Sequence, residues 1–287
     1  MNAIGRSGMR ALVHALWAAL QWRLLLLWIV AMSIPTAIVA MPIWSRLGNL
    51  LDHSVHSAEW ARQFDALAAS DVVAQLGGLT SVSVLSVIVT LLLSPLLTGM
   101  AVTAIRAPRS VSFGELLHGG ASEYWPLFRL LLWAALPFGI AAIIGVVALA
   151  FAIVYGSGSI LQSQADSALH AATIALVVLL VLAHAMVELG RAQLAADPEL
   201  RSGRRALGRG IGVLMRRPFS ALGIYVVVSI LGYLLVLLLA MLRVRTTAND
   251  FSGFIAATVL TQSITVAIAW QRTARLFALT DLVRTIT

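Results

Sequence analysis

Six runs of about twenty apolar residues, each almost free of charge, constrain this chain more than any other feature. Crossing a hydrocarbon layer of roughly 30 Å takes about 20 residues at about 1.5 Å each. Qualifying runs fall near 24–43, 79–105, 130–155, 169–190, 219–242 and 253–271. Within lipid every backbone polar group must be satisfied internally, so continuous runs of this kind predict helices. A barrel would show alternating segments of about ten residues instead. The predicted class is therefore all-α: a polytopic membrane bundle of six transmembrane helices, forming a single transmembrane domain over 1–287. Composition agrees. With 60% hydrophobic and 11% charged residues, the chain carries more apolar surface than a soluble domain of this length can hide. Having no cysteine, it offers no disulfide, thiolate zinc site or thiol nucleophile.

Every basic residue is arginine, and the arginines are placed unevenly. Arg6, Arg10 and Arg23 precede the first run; Arg106, Arg109 and Arg129 lie between the second and third. Arg191, Arg201, Arg204, Arg205, Arg209, Arg216 and Arg217 fill the fourth connection, and Arg272, Arg275 and Arg284 follow the last run as a C-terminal tail. Only Arg46, Arg62, Arg243 and Arg245 fall on the other side, sixteen against four. By the positive-inside rule both termini are expected in the cytoplasm. The all-Arg, Ala-, Leu- and Gly-rich composition suggests a GC-rich bacterial genome, and the expected location is the bacterial inner membrane. The first run exceeds the apolar stretch of a cleaved signal peptide and reads as a retained span.

An internal pattern recurs three times. Arg6-Ser7-Gly8-Met9-Arg10-Ala11-Leu12 matches Arg201-Ser202-Gly203-Arg204-Arg205-Ala206-Leu207 at six of seven positions. Each serine leads to an arginine at the mouth of a span: Ser7 to Arg23 over 16 residues, Ser112 to Arg129 over 17, Ser202 to Arg217 over 15. Leu117-x-x-Gly120 echoes Leu207-x-x-Gly210. The expected unit is an amphipathic interfacial helix followed by a transmembrane hairpin. In the first copy Met9, Leu12, Val13, Leu16, Trp17 and Leu20 share one helical face. In the second, Ser112-Phe113-Gly114-Glu115 forms a capping box. In the third, Asp197-Pro198-Glu199 supplies the N-cap, and Leu200, Leu207, Ile211 and Leu214 line one side. Such helices are expected in the headgroup plane, apolar faces sunk and guanidinium groups turned outward. Arg201, Arg204, Arg205, Arg209, Arg216 and Arg217 are then candidate contacts for anionic lipid headgroups or for a protein partner in the membrane. A basic balance can also mark nucleic-acid binding, but these arginines flank apolar spans rather than a soluble basic face, and no nucleic acid is expected.

Leu96-Leu97-Thr98-Gly99, Ser112-Phe113-Gly114-Glu115-Leu116-Leu117 and Phe128-Arg129-Leu130-Leu131 resemble segments of a class of bacterial six-span inner-membrane proteins of unknown function. Arg191, Arg205-Ala206-Leu207 and Arg216-Arg217-Pro218 extend the likeness over most of the chain. A fainter similarity is to the membrane domain attached to some glycerophosphodiester phosphodiesterases. The resemblance implies a fold rather than a reaction.

Ionisable groups inside spans are expensive, so each is a candidate site. His184, Glu188 and Arg191 fall at i, i+4 and i+7 on one face late in the fourth span. A structural anchor is the commoner use of such a ladder, a proton relay or ligand site the rarer. Ser83, Ser86, Thr90, Ser94 and Thr98 make a hydroxyl stripe on the second span; Thr258, Thr261, Gln262 and Thr265 make another on the sixth. Stripes of this kind either bond across helix interfaces or line a wet path. Asp52, His53, His56 and Glu59 in the long loop read as a solvated helix face rather than a metal site. Neither HExxH, GxSxG nor a phosphate-binding loop occurs, and nothing calls for a cofactor. The expected role is a non-enzymatic scaffold or accessory subunit; the alternative is a permease or channel with a polar path between spans two and six.

Overall fold

The computed structural model describes residues 12–51, 70, 79–107, 109–159, 161–247 and 250–286. The candidates Asp52, His53, His56 and Glu59, with Arg6, Ser7, Met9 and Arg10, lie outside the described residues. Among the described residues there is no strand. The helices are α1 (12–18), α2 (Trp22–Leu51), α3 (Thr80–Arg106), α4 (Phe113–Ser122), α5 (Tyr124–Ser157), α6 (Gln162–Ala196), α7 (Gly203–Arg216), α8 (Pro218–Arg245) and α9 (Phe251–Arg284). Six of them, α2, α3, α5, α6, α8 and α9, are long and apolar enough to cross a membrane. The chain is an all-α, multi-pass membrane protein. One short helix and one long pair alternate three times.

Local chemistry sets the joints. Ser112 caps α4, taking the Glu115 N–H while its own N–H donates to the Glu115 carboxylate at 2.8 Å. Pro218 opens α8 at the first helical position, where its missing N–H costs nothing. Asp250 accepts from the Gly253 N–H at 2.8 Å to start α9. Glu123 and Arg217 each close a short helix with their N–H and open the next long one with their carbonyl. Short helix and span are thereby joined through a single residue in the second and third units.

One expected cap is overturned. Asp197 does not start α7; it ends α6, donating its N–H to Gln193 while its carboxylate accepts from the Glu199 N–H at 3.0 Å. The resulting turn buries Leu200, and Ser202 takes the cap instead, accepting from the Arg205 N–H. Ser202 is the residue that the threefold spacing aligns with Ser112.

The expectation that the amphipathic helices sink their apolar faces into lipid is corrected in part, because Leu12 and Leu16 of α1, Leu116 of α4 and Leu207 and Leu214 of α7 pack on protein. Each short helix lies against the hairpin before it, the first against the last. Gly120 of α4 meets Gly99 of α3, where a Cβ on Gly99 would stand 2.9 Å from the Gly120 oxygen. Gly210 of α7 meets Gly190 of α6, and a Cβ on Gly210 would stand 2.6 Å from the Gly190 nitrogen. Leu12, Leu16 and Ala19 pack with Val228 of α8 and with Trp270 and Ala274 of α9, and the Trp270 indole donates to the Leu16 carbonyl at 2.9 Å. The three units so form a closed ring. Val13, Trp17 and Leu20 of that same predicted face stay exposed, as do Phe113 and Leu117 of α4.

Helices α5, α6 and α9 reach 34, 35 and 34 residues, about 50 Å each and well beyond the hydrocarbon thickness. Helix α6 extends past its apolar run at both ends, and in α5 and α9 most of the excess lies at the arginine-rich end. There Leu97, Met100, Leu116, Leu189, Val213, Leu276, Leu279 and Val283 form one core drawn from all three units. The tail expected after residue 271 is therefore a continuation of α9, with Leu276, Leu279 and Val283 turned inward. At the opposite end burial thins to stripes. The outer half of α5 buries only Ala141, Gly145 and Ala152, with Gly145 against Leu176 of α6, while Ile143, Phe151, Ile153 and Val154 are exposed. Lipid is the cover these faces require.

Candidate functional site

Where the three hairpins converge, α6 presents His184, Glu188 and Arg191 on one face, as their spacing predicts. The Glu188 carboxylate is 3% exposed and takes the Arg191 Nη1–H at 2.7 Å through its Oε1. Two further groups converge on that oxygen: Arg275 Nη2 at 3.3 Å and His184 Nε2 at 3.6 Å. Arg275, itself buried, also donates to the Ser229 hydroxyl at 3.1 Å and lies 5.1 Å from the Tyr225 ring centroid. The Tyr225 hydroxyl is 2.7 Å from His184 Nδ1, and Gln271 donates to the Ser229 carbonyl at 3.0 Å. Helices α6, α8 and α9 are thus tied by one polar network.

One turn before Arg275 sits Arg272, whose guanidinium lies 5.9 Å from the Trp28 ring of α2. Trp28, Thr98, Ala101, Glu188, Arg191, Arg272, Thr273 and Leu276 line a small void of about 20 Å³ to which all three hairpins contribute. Arg272, Arg275, Tyr225 and Trp28 were not legible as site residues. The pair Arg272 and Arg275 falls past the last apolar run, and its partners lie on other helices. The one local signal was the recurrence of Ala269, Leu276, Leu279 and Val283 at helical spacing beyond the expected end of the span.

The hydroxyl stripes take other partners. Ser86 donates to the Pro35 carbonyl of α2 at 2.9 Å, while Thr90 and Thr98 donate back to Ser86 and Ser94 within α3. Ser83 is exposed, and Ser94 is half-buried. Ser86 and Thr90 stand on the wall of a largely apolar groove of about 490 Å³ between α2 and α3. On α9, Thr258, Thr261 and Thr265 donate back within the helix, and the Thr261 oxygen accepts from Arg243 of α8 at 3.3 Å. Gln262 is half-buried. Only Thr98, at the deep end of its stripe, reaches the void beside Glu188.

The arginines around α7 divide into two groups. Arg201 donates to the Ser122 carbonyl at 3.3 Å and stands 3.7 Å from Glu123, which already holds Arg106 at 2.9 Å. Arg209 pairs with Asp197 at 2.9 Å, and that hydrogen bond holds the Asp197 carboxyl below its usual range. The guanidiniums of Arg204, Arg205, Arg216 and Arg217 are exposed and have no acidic partner among the described residues. Arg209 and Arg216 flank a groove of about 780 Å³ between α7 and the turn after α6. Compared with known protein families, characterised proteins and solved structures, the chain matches none.

Proposed function

We propose that this protein is a non-enzymatic scaffold or accessory subunit of a bacterial inner membrane, with both termini in the cytoplasm, that engages anionic phospholipid through its arginine-rich end. The observation that carries the reading is the set of four exposed guanidiniums at Arg204, Arg205, Arg216 and Arg217, without an acidic partner among the described residues, of which Arg216 lines a groove large enough for a headgroup. Exposed Trp17, Trp22, Trp125, Met215 and Phe219 support it, because they put an apolar belt at the same end as those charges. Arg23 and Arg129 lie over Trp22 and Trp125 at 5.4 and 5.3 Å, as amphipathic anchors at a headgroup boundary do. Each juxtamembrane arginine contributes about 1 kcal/mol near an anionic surface, so four together discriminate strongly between lipids.

The test uses the full chain in mixed bilayer discs of phosphatidylglycerol and phosphatidylcholine. Annular lipid is quantified by mass spectrometry. The wild type is expected to be enriched in the anionic lipid, and the variant with Arg204, Arg205, Arg216 and Arg217 all changed to Gln to lose that enrichment by more than about tenfold. Equal enrichment in the two proteins would overturn the reading. A C-terminal tag shaved by protease from outside intact cells would overturn the orientation.

A further inference from the structure

The junction of the three hairpins carries more positive charge than it neutralises. Arg191, Arg272 and Arg275 stand around the single carboxylate of Glu188. Glu188 Oε1 is already shared by Arg191 and Arg275. Arg272 has no carboxylate within ion-pairing distance among the described residues; its neighbour is the face of Trp28. Arg272 is exposed, but the Arg275 and Arg191 side chains are only 4% and 18% exposed, and in their surroundings an excess of fixed cations is unfavourable unless a counter-charge enters.

The unmatched polar atoms point the same way. Among the described residues two buried side-chain nitrogens lack a hydrogen-bond partner: Trp28 Nε1, whose residue lines the void, and Arg275 Nε, whose residue meets Glu188 Oε1 and does not line the void. Both are N–H donors with no acceptor capacity, so what they lack is an acceptor. A bound cation would deepen the imbalance. The hydroxyls beside the void offer no relief, because Thr98 donates to Ser94 and Thr273 donates to Ala269. Size narrows the choice further: at about 20 Å³ the void holds one water or one monatomic ion without rearrangement. Water would satisfy a donor and leave the charge.

We propose that this void is a binding site for a monatomic anion of halide size, held by the guanidiniums of Arg191 and Arg272 and the indole N–H of Trp28. Each of these residues belongs to a different hairpin: Trp28 to the first, Arg191 to the second, Arg272 to the third. Occupancy therefore fastens the three units to one another at the ring's centre. The site is distinct from the headgroup surface on α7, and its ligands include none of the four exposed arginines there.

The experiment measures the thermal unfolding midpoint of the purified full chain in detergent. Sodium chloride, sodium bromide, sodium phosphate and sodium gluconate are compared at equal ionic strength, and bromide is located by anomalous diffraction. Chloride and bromide are expected to raise the midpoint by several degrees over gluconate, with the logarithmic concentration dependence of a ligand that binds only the folded state. Arg272→Gln, a substitution at an exposed side chain, should abolish the rise. Trp28→Phe keeps the ring, removes the donor, and should weaken the apparent halide affinity several-fold, which covers the case of an Arg272→Gln chain that does not fold. The variant lacking the four α7 arginines should keep the full halide response. Equal midpoints in chloride and gluconate would overturn the assignment. So would an undiminished rise in both single variants, or a phosphate effect as large as that of the halides.

Discussion

The two ends of this bundle are built from similar helices and hold together by different physics. At the arginine-rich end, short helices cross long ones at glycines, three units share one apolar core, and Glu188 draws guanidiniums from α6 and α9. At the other end, α5 and α6 touch along a single stripe while Ile143, Phe151 and Val154 are exposed. Between 11% and 33% of the most apolar window of each span is buried, so much of the remaining surface requires lipid. The lesson is that the outer halves need only be apolar and helical, whereas the arginine-rich end needs particular residues in particular places.

The sharpest way to break that contrast is at Glu188. Arg275→Gln leaves the buried carboxylate with one close guanidinium and removes the donor to Ser229. Loss of one partner from a buried pair costs about 3–5 kcal/mol, so the unfolding midpoint in detergent should drop far more than for Arg204→Gln at the exposed surface. Comparable drops would erase the distinction between the network and the rim. Glycines give a second, smaller contrast. Gly210→Ala drives a methyl into the backbone of Gly190 and should destabilise by about 1–3 kcal/mol. Gly139→Ala in α5 meets nothing within 4 Å and should stabilise by roughly 0.5–1 kcal/mol through helix propensity. Midpoints that move in the same direction would show that the ring does not depend on close backbone approach.

The smallest effect belongs to the exposed cap of α4. The hydrogen bond from Arg109, with those from Ser112, holds the Glu115 carboxyl down at about 2 from a reference of 4.5. A carboxyl lowered on folding contributes stability that is present above pH 4.5 and is lost as the pH falls toward 2. Solvent screens this pair, so the contribution is slight. The midpoint difference between wild type and Glu115→Gln should shrink steadily over that window; a difference that grows on acidification would contradict the capping role.

Much of this was legible in the sequence because it rests on local rules. The Ser112 and Glu115 box and the face shared by His184, Glu188 and Arg191 both follow from contacts within one or two turns. The threefold spacing aligned Ser202 with Ser112 even where the acidic Asp197-Pro198-Glu199 run suggested a different cap. What escaped was long-range. Nothing near Arg275 in the chain says that Glu188, 87 positions earlier, is its partner. Nor does the apolar strip on α1 reveal that Leu12, Leu16 and Ala19 would meet α8 and α9 while Val13 and Trp17 stay outside.

Hydropathy and helical period by themselves determined six apolar helices and the amphipathic character of the short ones, because both are properties of the chain over a few turns. Only the tertiary structure decided which face of each short helix is buried, that α9 continues as packed helix past residue 271, and that three guanidiniums gather around one carboxylate. Those outcomes depend on which surfaces meet, and a helix carries no local record of its neighbours.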